Sequence, residues 1–134
     1  MMSGLASGME AASLTQDNAT YLKLNRAFHF AVYRGSQSAQ LVQLIDRLWL
    51  RVGPFLNWIS SPSDSRSRSN THHRATIAAC RVRDGEAAAQ AICNDIRDGA
   101  EVVRARLRTG QLDGLLEAAT GSAGRGASKR KRAA

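Results

Sequence analysis

Apolar residues recur at steps of three and four along most of the chain, the spacing of helices that each bury one face. Over residues 19–34, Leu24, Phe28, Ala31 and Val32 share a face. Asp17 or Asn18 stands where an N-cap is needed, and Gly35 follows as a stop. Over 38–58 the step repeats in Leu41, Leu44, Ile45, Leu48, Val52, Phe55 and Leu56. Gly53-Pro54 falls inside that pattern, and proline removes a helix hydrogen bond, so a kink or break is predicted there. The stretch SSPSDSRSRSN, 60–70, has almost nothing to bury and reads as a mobile, solvated loop. A third helix is predicted over 71–82. Asp84-Gly85 then breaks the pattern, and Asp84 can cap a fourth helix over 86–108, with Ala88, Ile92, Ile96, Ala100, Val103 and Leu107 inward. Gly110 stops it, and QLDGLLEAA after it predicts a short final helix. The β-branched and aromatic runs of a sheet protein are missing. The fold class is therefore all-α, an antiparallel helical bundle. Residues 1–16 read as a flexible segment or the remnant of an earlier helix, 17–119 as the helical domain, and 120–134 as a disordered basic tail.

Composition agrees with this pattern and narrows the function. The chain has 134 residues, enough for one domain with a core. Its net charge is +8, but five of those charges, Arg125, Lys129, Arg130, Lys131 and Arg132, lie in GSAGRGASKRKRAA, where no acid offsets them. Residues 1–120 are therefore only mildly basic. Cys80 and Cys93 lie in apolar helical patterns and not in a metal or redox spacing, which predicts reduced, buried thiols in a cytoplasmic protein. No apolar run approaches a membrane span, and the N-terminus lacks the plan of a signal peptide.

Four polar residues stand beside the apolar stripes. Asn25 and His29 are four apart, so they stack on one helix face bordering Leu24, Phe28 and Val32. His73 shares a face with Ile77 and Cys80. Asp95 shares one with Ala88 and Ile92, beside Ile96. A carboxylate on the margin of a core needs a partner or a metal to offset its desolvation. Bundles build ion sites from inward side chains on facing helices, and two imidazoles, a carboxylate and an amide suit a divalent ion. The same residues also suit a hydrogen-bonded core, with Asn25 bonded to a neighbouring helix and Asp95 paired with Arg26, Arg51 or Arg74.

NRAFHFAVYRGSQSAQLVQLIDRLWLRVGPF, followed by HHRATIAACRVRDGEAAAQAICNDIRDGAEVV, resembles the C-terminal ligand-binding domain of FadR-type GntR transcription regulators, the FCD domain. The resemblance covers roughly residues 9–109 and rests on the order and spacing of its parts: an Asp/Asn-x-x-x-His helix, a long helix, a His-led helix, a Gly/Asp break and an Ala-rich helix. It implies a metal held by one Asp and three His, with a small carboxylate effector beside it. By position the family's Asp falls on Asn25 and its first His on His29. Its second His falls on His73, with His72 as a register alternative, and its third on Asp95. Zinc, manganese and nickel are the candidate ions. With Asn25 a weak neutral donor and Asp95 a hard one, zinc is held less securely, and a harder ion such as manganese or magnesium finds room.

The resemblance further implies a homodimer that senses a small organic acid and passes the signal to a winged helix-turn-helix on DNA. The residues before Asn18 are too few for that head, so the sequence predicts a sensing half without it and a first helix missing or shortened. Arg26, Arg51, Arg74 and Arg81 are candidates to meet the effector's carboxylate, since Arg offers a bidentate fork. Trp49 suits the core, and Trp58 the pocket or dimer surface. Three other classes stay open. A basic nucleic-acid-binding protein would work through its tail. A metal-dependent enzyme would activate water, although no general base or nucleophile stands out. A plain dimerisation module would respond to no ligand.

Overall fold

Asp17 and Asp84 organise the two tightest connections in the same way. At each, the preceding helix ends in a non-glycine residue with left-handed backbone, Gln16 (φ 57°) or Arg83 (φ 60°). The aspartate N–H then closes that helix on a carbonyl five residues back, Asp17 on Ala12 and Asp84 on Ala79, both at 2.9 Å. Its carboxylate turns the other way and caps the next helix, Asp17 accepting from Thr20 N–H at 3.0 Å and Asp84 from Ala87 N–H at 2.9 Å. The exposed Asp17 carboxyl is thereby held below its ordinary value, the Thr20 hydrogen bonds being the main cause. Asp84→Ala keeps the backbone closure and deletes the cap. It should lower stability in urea unfolding by about 1 kcal/mol.

The computed structural model describes residues 1–59 and 64–109, and of 54–59, 64 and 65 the backbone alone. It is an all-α bundle: α1 (Met2–Leu14), α2 (Asn18–Arg34), α3 (Ala39–Ile59), α4 (Asp64–Arg81) and α5 (Gly85–Arg108), with no strand among the described residues. Met1–Val103 form one unit, which contains the core and the polar cluster inside it. The predicted final helix over 111–119, the tail and the Trp58 side chain lie outside the described residues.

Four sequence expectations change. Where a flexible segment or a helix remnant was expected over 1–16, α1 is a full helix that buries Ala6, Met9 and Ala12 against α2. Its partner surface comes close: a Cβ on Gly8 would sit 2.8 Å from Leu24 Cδ1. The loop expected over 60–70 is helical from Asp64 onward, because that turn buries polar groups. Arg66 and Asn70 face inward, and Arg66 donates to Asn18 Oδ1 at 2.7 Å. The helix α3 continues through Gly53-Pro54 without a break. Cys80 and Cys93 are exposed, because the buried lines of α4 and α5 run through Thr76 and Ala79, and through Ala91 and Ile92. Gly35 does end α2, but with right-handed backbone. Glycine is favoured there by close approach instead, since a Cβ on Gly35 would sit 2.9 Å from the Val32 carbonyl oxygen.

The core is narrow. Phe28 and Met9 are fully buried, and Ala6, Ala12, Tyr21 and Ile92 complete the cluster, with Leu24, Val32 and Ile77 half-buried around it. The helix α2 is central, packed on α1 and α3. Its far side buries Phe30 beneath Trp49 (ring centroids 5.6 Å) and the Arg26 guanidinium (4.4 Å). The pairs Arg74–Glu10 and Arg81–Ser3 run in opposite senses, so α4 lies antiparallel to α1. Among the described residues nothing covers the apolar stripe of α3: Leu41, Leu44, Leu48 and Val52 are exposed, Leu44 by 56%. No helix among the described residues is long and apolar enough to cross a membrane.

Candidate metal centre

Three helices bring three side chains to one point. His29 comes from the middle of α2, His73 from α4 and Asp95 from α5. They are 3%, 0% and 9% exposed, which places a carboxylate and two imidazoles in the interior of a small domain. Asp95 sits further inside than its spacing suggested. The buried line of α5 runs Ala88, Ala91, Ile92, Asp95, and Ile96 turns outward.

Both imidazoles address the same carboxylate oxygen. His29 Nε2 lies 2.9 Å from Asp95 Oδ2, and His73 Nε2 lies 3.4 Å from it. The other oxygen, Oδ1, accepts a hydrogen bond from the Ser69 hydroxyl at 2.6 Å. Burial alone would raise the Asp95 carboxyl. The hydrogen bonds and charge of His29 and His73 outweigh it and hold the group well below the usual carboxylate range. Tyr33 lies 3.2 Å from His29 Nδ1, and its phenol is pushed up to about 12 by burial and by the Asp95 charge. The walls are aromatic: Phe28 on His73 at 4.5 Å and Trp49 on His29 at 5.5 Å.

The donor set suits a divalent ion. One ligand atom from each of His29, His73 and Asp95 lies within 4.8 Å of the others. His29 engages Tyr33 through Nδ1 and so presents Nε2, the arrangement in which an outer partner fixes a ligating imidazole. Asn25, one turn before His29, has a buried Oδ1 with no hydrogen-bond partner among the described residues, and so does His73 Nδ1. A buried amide oxygen that accepts no hydrogen bond, one turn before His29, has a lone pair left to offer an ion.

Of the residues singled out from sequence, the structure gathers His29, His73 and Asp95, with Asn25 on the same helix face. His72 turns instead to Asp98, at 3.1 Å. The four arginines are all exposed: Arg26 pairs with Asp46, Arg74 with Glu10 and Arg81 with the Ser3 hydroxyl, while Arg51 is on the surface of α3. Two residues escaped the sequence reading. Ser69 and Arg66 lie in the Ser-Arg run that looked solvated. The only available signal was their four- and seven-residue spacing before His73.

The FCD domain family model matches residues 1–98. Among curated proteins the chain is similar to the HTH-type transcriptional regulator McbR of Escherichia coli (strain K12), 28% identical over 81 residues, which is 58% of this chain and 36% of McbR. The chain thus covers little more than a third of that relative's length. No solved structure matches it at a comparable level.

Proposed function

The chain belongs to the FCD domain family, and from that premise we propose that it is the effector-sensing domain of a GntR-type transcription regulator, taking a small carboxylate metabolite at a metal centre built by Asn25, His29, His73 and Asp95. One observation carries this reading: two imidazole nitrogens converge on one buried carboxylate oxygen. Withdrawing such groups from water is costly, and apolar residues of the same volume would serve packing as well or better. A polar cluster in so narrow a core is better explained by a ligand than by stability.

His29 and His73 would hold the ion through Nε2, Asp95 through its carboxylate and Asn25 through its amide oxygen. Asp95 is the only anion in that set, so a divalent ion keeps one net positive charge, which favours an anionic effector. When bound, the ion supplies a Lewis-acidic point for the effector's carboxylate. The protein's residues orient the ion, and Phe28 and Trp49 keep the surroundings apolar. Zinc, manganese and nickel suit two nitrogens with oxygen donors, and manganese or magnesium gains from the hard oxygens. In a homodimer the effector would favour one relative geometry of the two copies, by no more than its difference in affinity for the two states. DNA would be met by a winged helix-turn-helix outside the residues described.

The test is metal content of protein purified without chelator or affinity-tag metal, beside His73→Ala. About one ion per chain is expected in the parent and none in the variant, since the loss of one of two imidazoles leaves a single nitrogen among weaker oxygen donors. Absence of metal from both overturns the metal part. A loaded protein whose melting temperature no carboxylic acid raises overturns the sensing part. Sedimentation at micromolar concentration checks the homodimer.

A further inference from the structure

Asp95 is held from two sides, and the two sides differ in the fate of their protons. On Oδ2, the imidazoles of His29 and His73 approach through Nε2. A nitrogen that ligates an ion carries no proton, so any Nε2–H hydrogen bond to Oδ2 is given up when the centre is loaded. On Oδ1, the donor is the Ser69 hydroxyl, 2.6 Å away. That proton competes with nothing an ion needs. Ser69 lies one turn before His73 on α4, and its Oγ is also 3.4 Å from His73 Nε2, so it stands beside the donor set without having to join it.

We infer that Ser69 is the positioning residue of the centre: it holds Asp95 through Oδ1 in both the stripped and the loaded protein, and leaves Oδ2 as the one oxygen offered to the ion. The inference rests on the metal reading above. The terminal torsion of an aspartate is broad and two-fold, so a carboxylate held at neither oxygen can turn and present both. With Oδ1 engaged, Asp95 takes one coordination position instead of two. The position saved is available to an effector carboxylate.

The experiment uses the full chain, stripped with a chelator and titrated with zinc by calorimetry. Ser69→Ala should weaken zinc binding roughly 10- to 100-fold, the range for loss of an outer partner of a metal ligand, with the stoichiometry unchanged. Ser69→Thr, which keeps the hydroxyl, should restore most of the affinity. Loading with cobalt gives a second readout that a purely structural role would not move. In Ser69→Ala the visible absorption should weaken as Asp95 becomes bidentate and the coordination number rises. Unchanged zinc affinity and an unchanged cobalt spectrum in Ser69→Ala overturn the inference and leave the metal centre standing. A parent protein that takes up neither ion overturns the centre, and the inference with it. Should Ser69→Ala fail to fold, proton NMR of the parent decides: a protected Ser69 hydroxyl resonance is expected with and without zinc, and its loss on loading overturns the inference.

Discussion

Asp95→Ala is expected to abolish ion uptake and, in the stripped protein, to cost about 3 kcal/mol, the scale for removing one partner from a buried charged pair. The carboxylate is the hub of its surroundings. Without it the Nε2 atoms of His29 and His73 and the Ser69 hydroxyl all lose the acceptor they share, in a place that water barely reaches. Urea unfolding followed by circular dichroism measures the loss, and a variant as stable as the parent would show that the hub contributes nothing to folding. The sign of the pH dependence follows. The carboxyl is depressed in the fold, so its contribution is complete above the ordinary value of 3.8 and is lost as the pH falls below it. Parent and variant should therefore converge in acid.

Phe28→Ala should cost more still, about 3–5 kcal/mol, the range for truncating a buried aromatic. Phe28 is the largest fully buried side chain, and its ring lies 4.5 Å from that of His73. The helices hold its neighbours Ala6, Met9, Ala12, Tyr21 and Ile92 in place, so the space left by the ring closes only in part. Against a total of about 5–15 kcal/mol for an ordinary domain, the variant loses a large share of its stability. A thermal melt of the stripped protein measures this. An unshifted melt would mean that the packing around Phe28 is loose. Ion affinity measured below that melt should also fall, because the ring walls His73, a ligand in the proposed centre.

What could be read in the sequence was whatever carried contrast. The helices α2 and α5 have apolar stripes bordered by charge, and their spans follow from periodicity. Asp84 at a Gly break and Asp17 before Asn18 marked their caps. The convergence of His29, His73 and Asp95 was legible for the same reason. An imidazole or carboxylate beside Phe28 or Ile92 is conspicuous, and spacing alone places Asn25 with His29. The helix α1 was not legible, because Gly, Ala and Ser bury by fitting closely rather than by being strongly apolar. Gly8 against Leu24 is a contact no hydropathy pattern announces. The first turns of α4 were hidden by the opposite effect. Their inward residues, Arg66, Ser69 and Asn70, are the polar ones, so a buried face looked like a solvated loop. The stripe of α3 was read correctly as apolar, but its partner is not another part of the described chain. For the arginines only side-chain chemistry speaks in the sequence, and spacing does not distinguish an exposed Arg74 with Glu10 as neighbour from one turned inward.

His29, His73 and Asp95 stand far apart along the chain, on three different helices. An ion held by all three would act as a cross-link, closing two long loops that the unfolded chain would otherwise leave free. Unlike a disulfide, this link is reversible and set by supply. Once the ion exceeds its dissociation constant, each further tenfold in its free concentration deepens the folded state by about 1.4 kcal/mol. A domain with so narrow a hydrophobic core would then owe part of its persistence to a solute. Its abundance would rise and fall with the ion before any effector arrived.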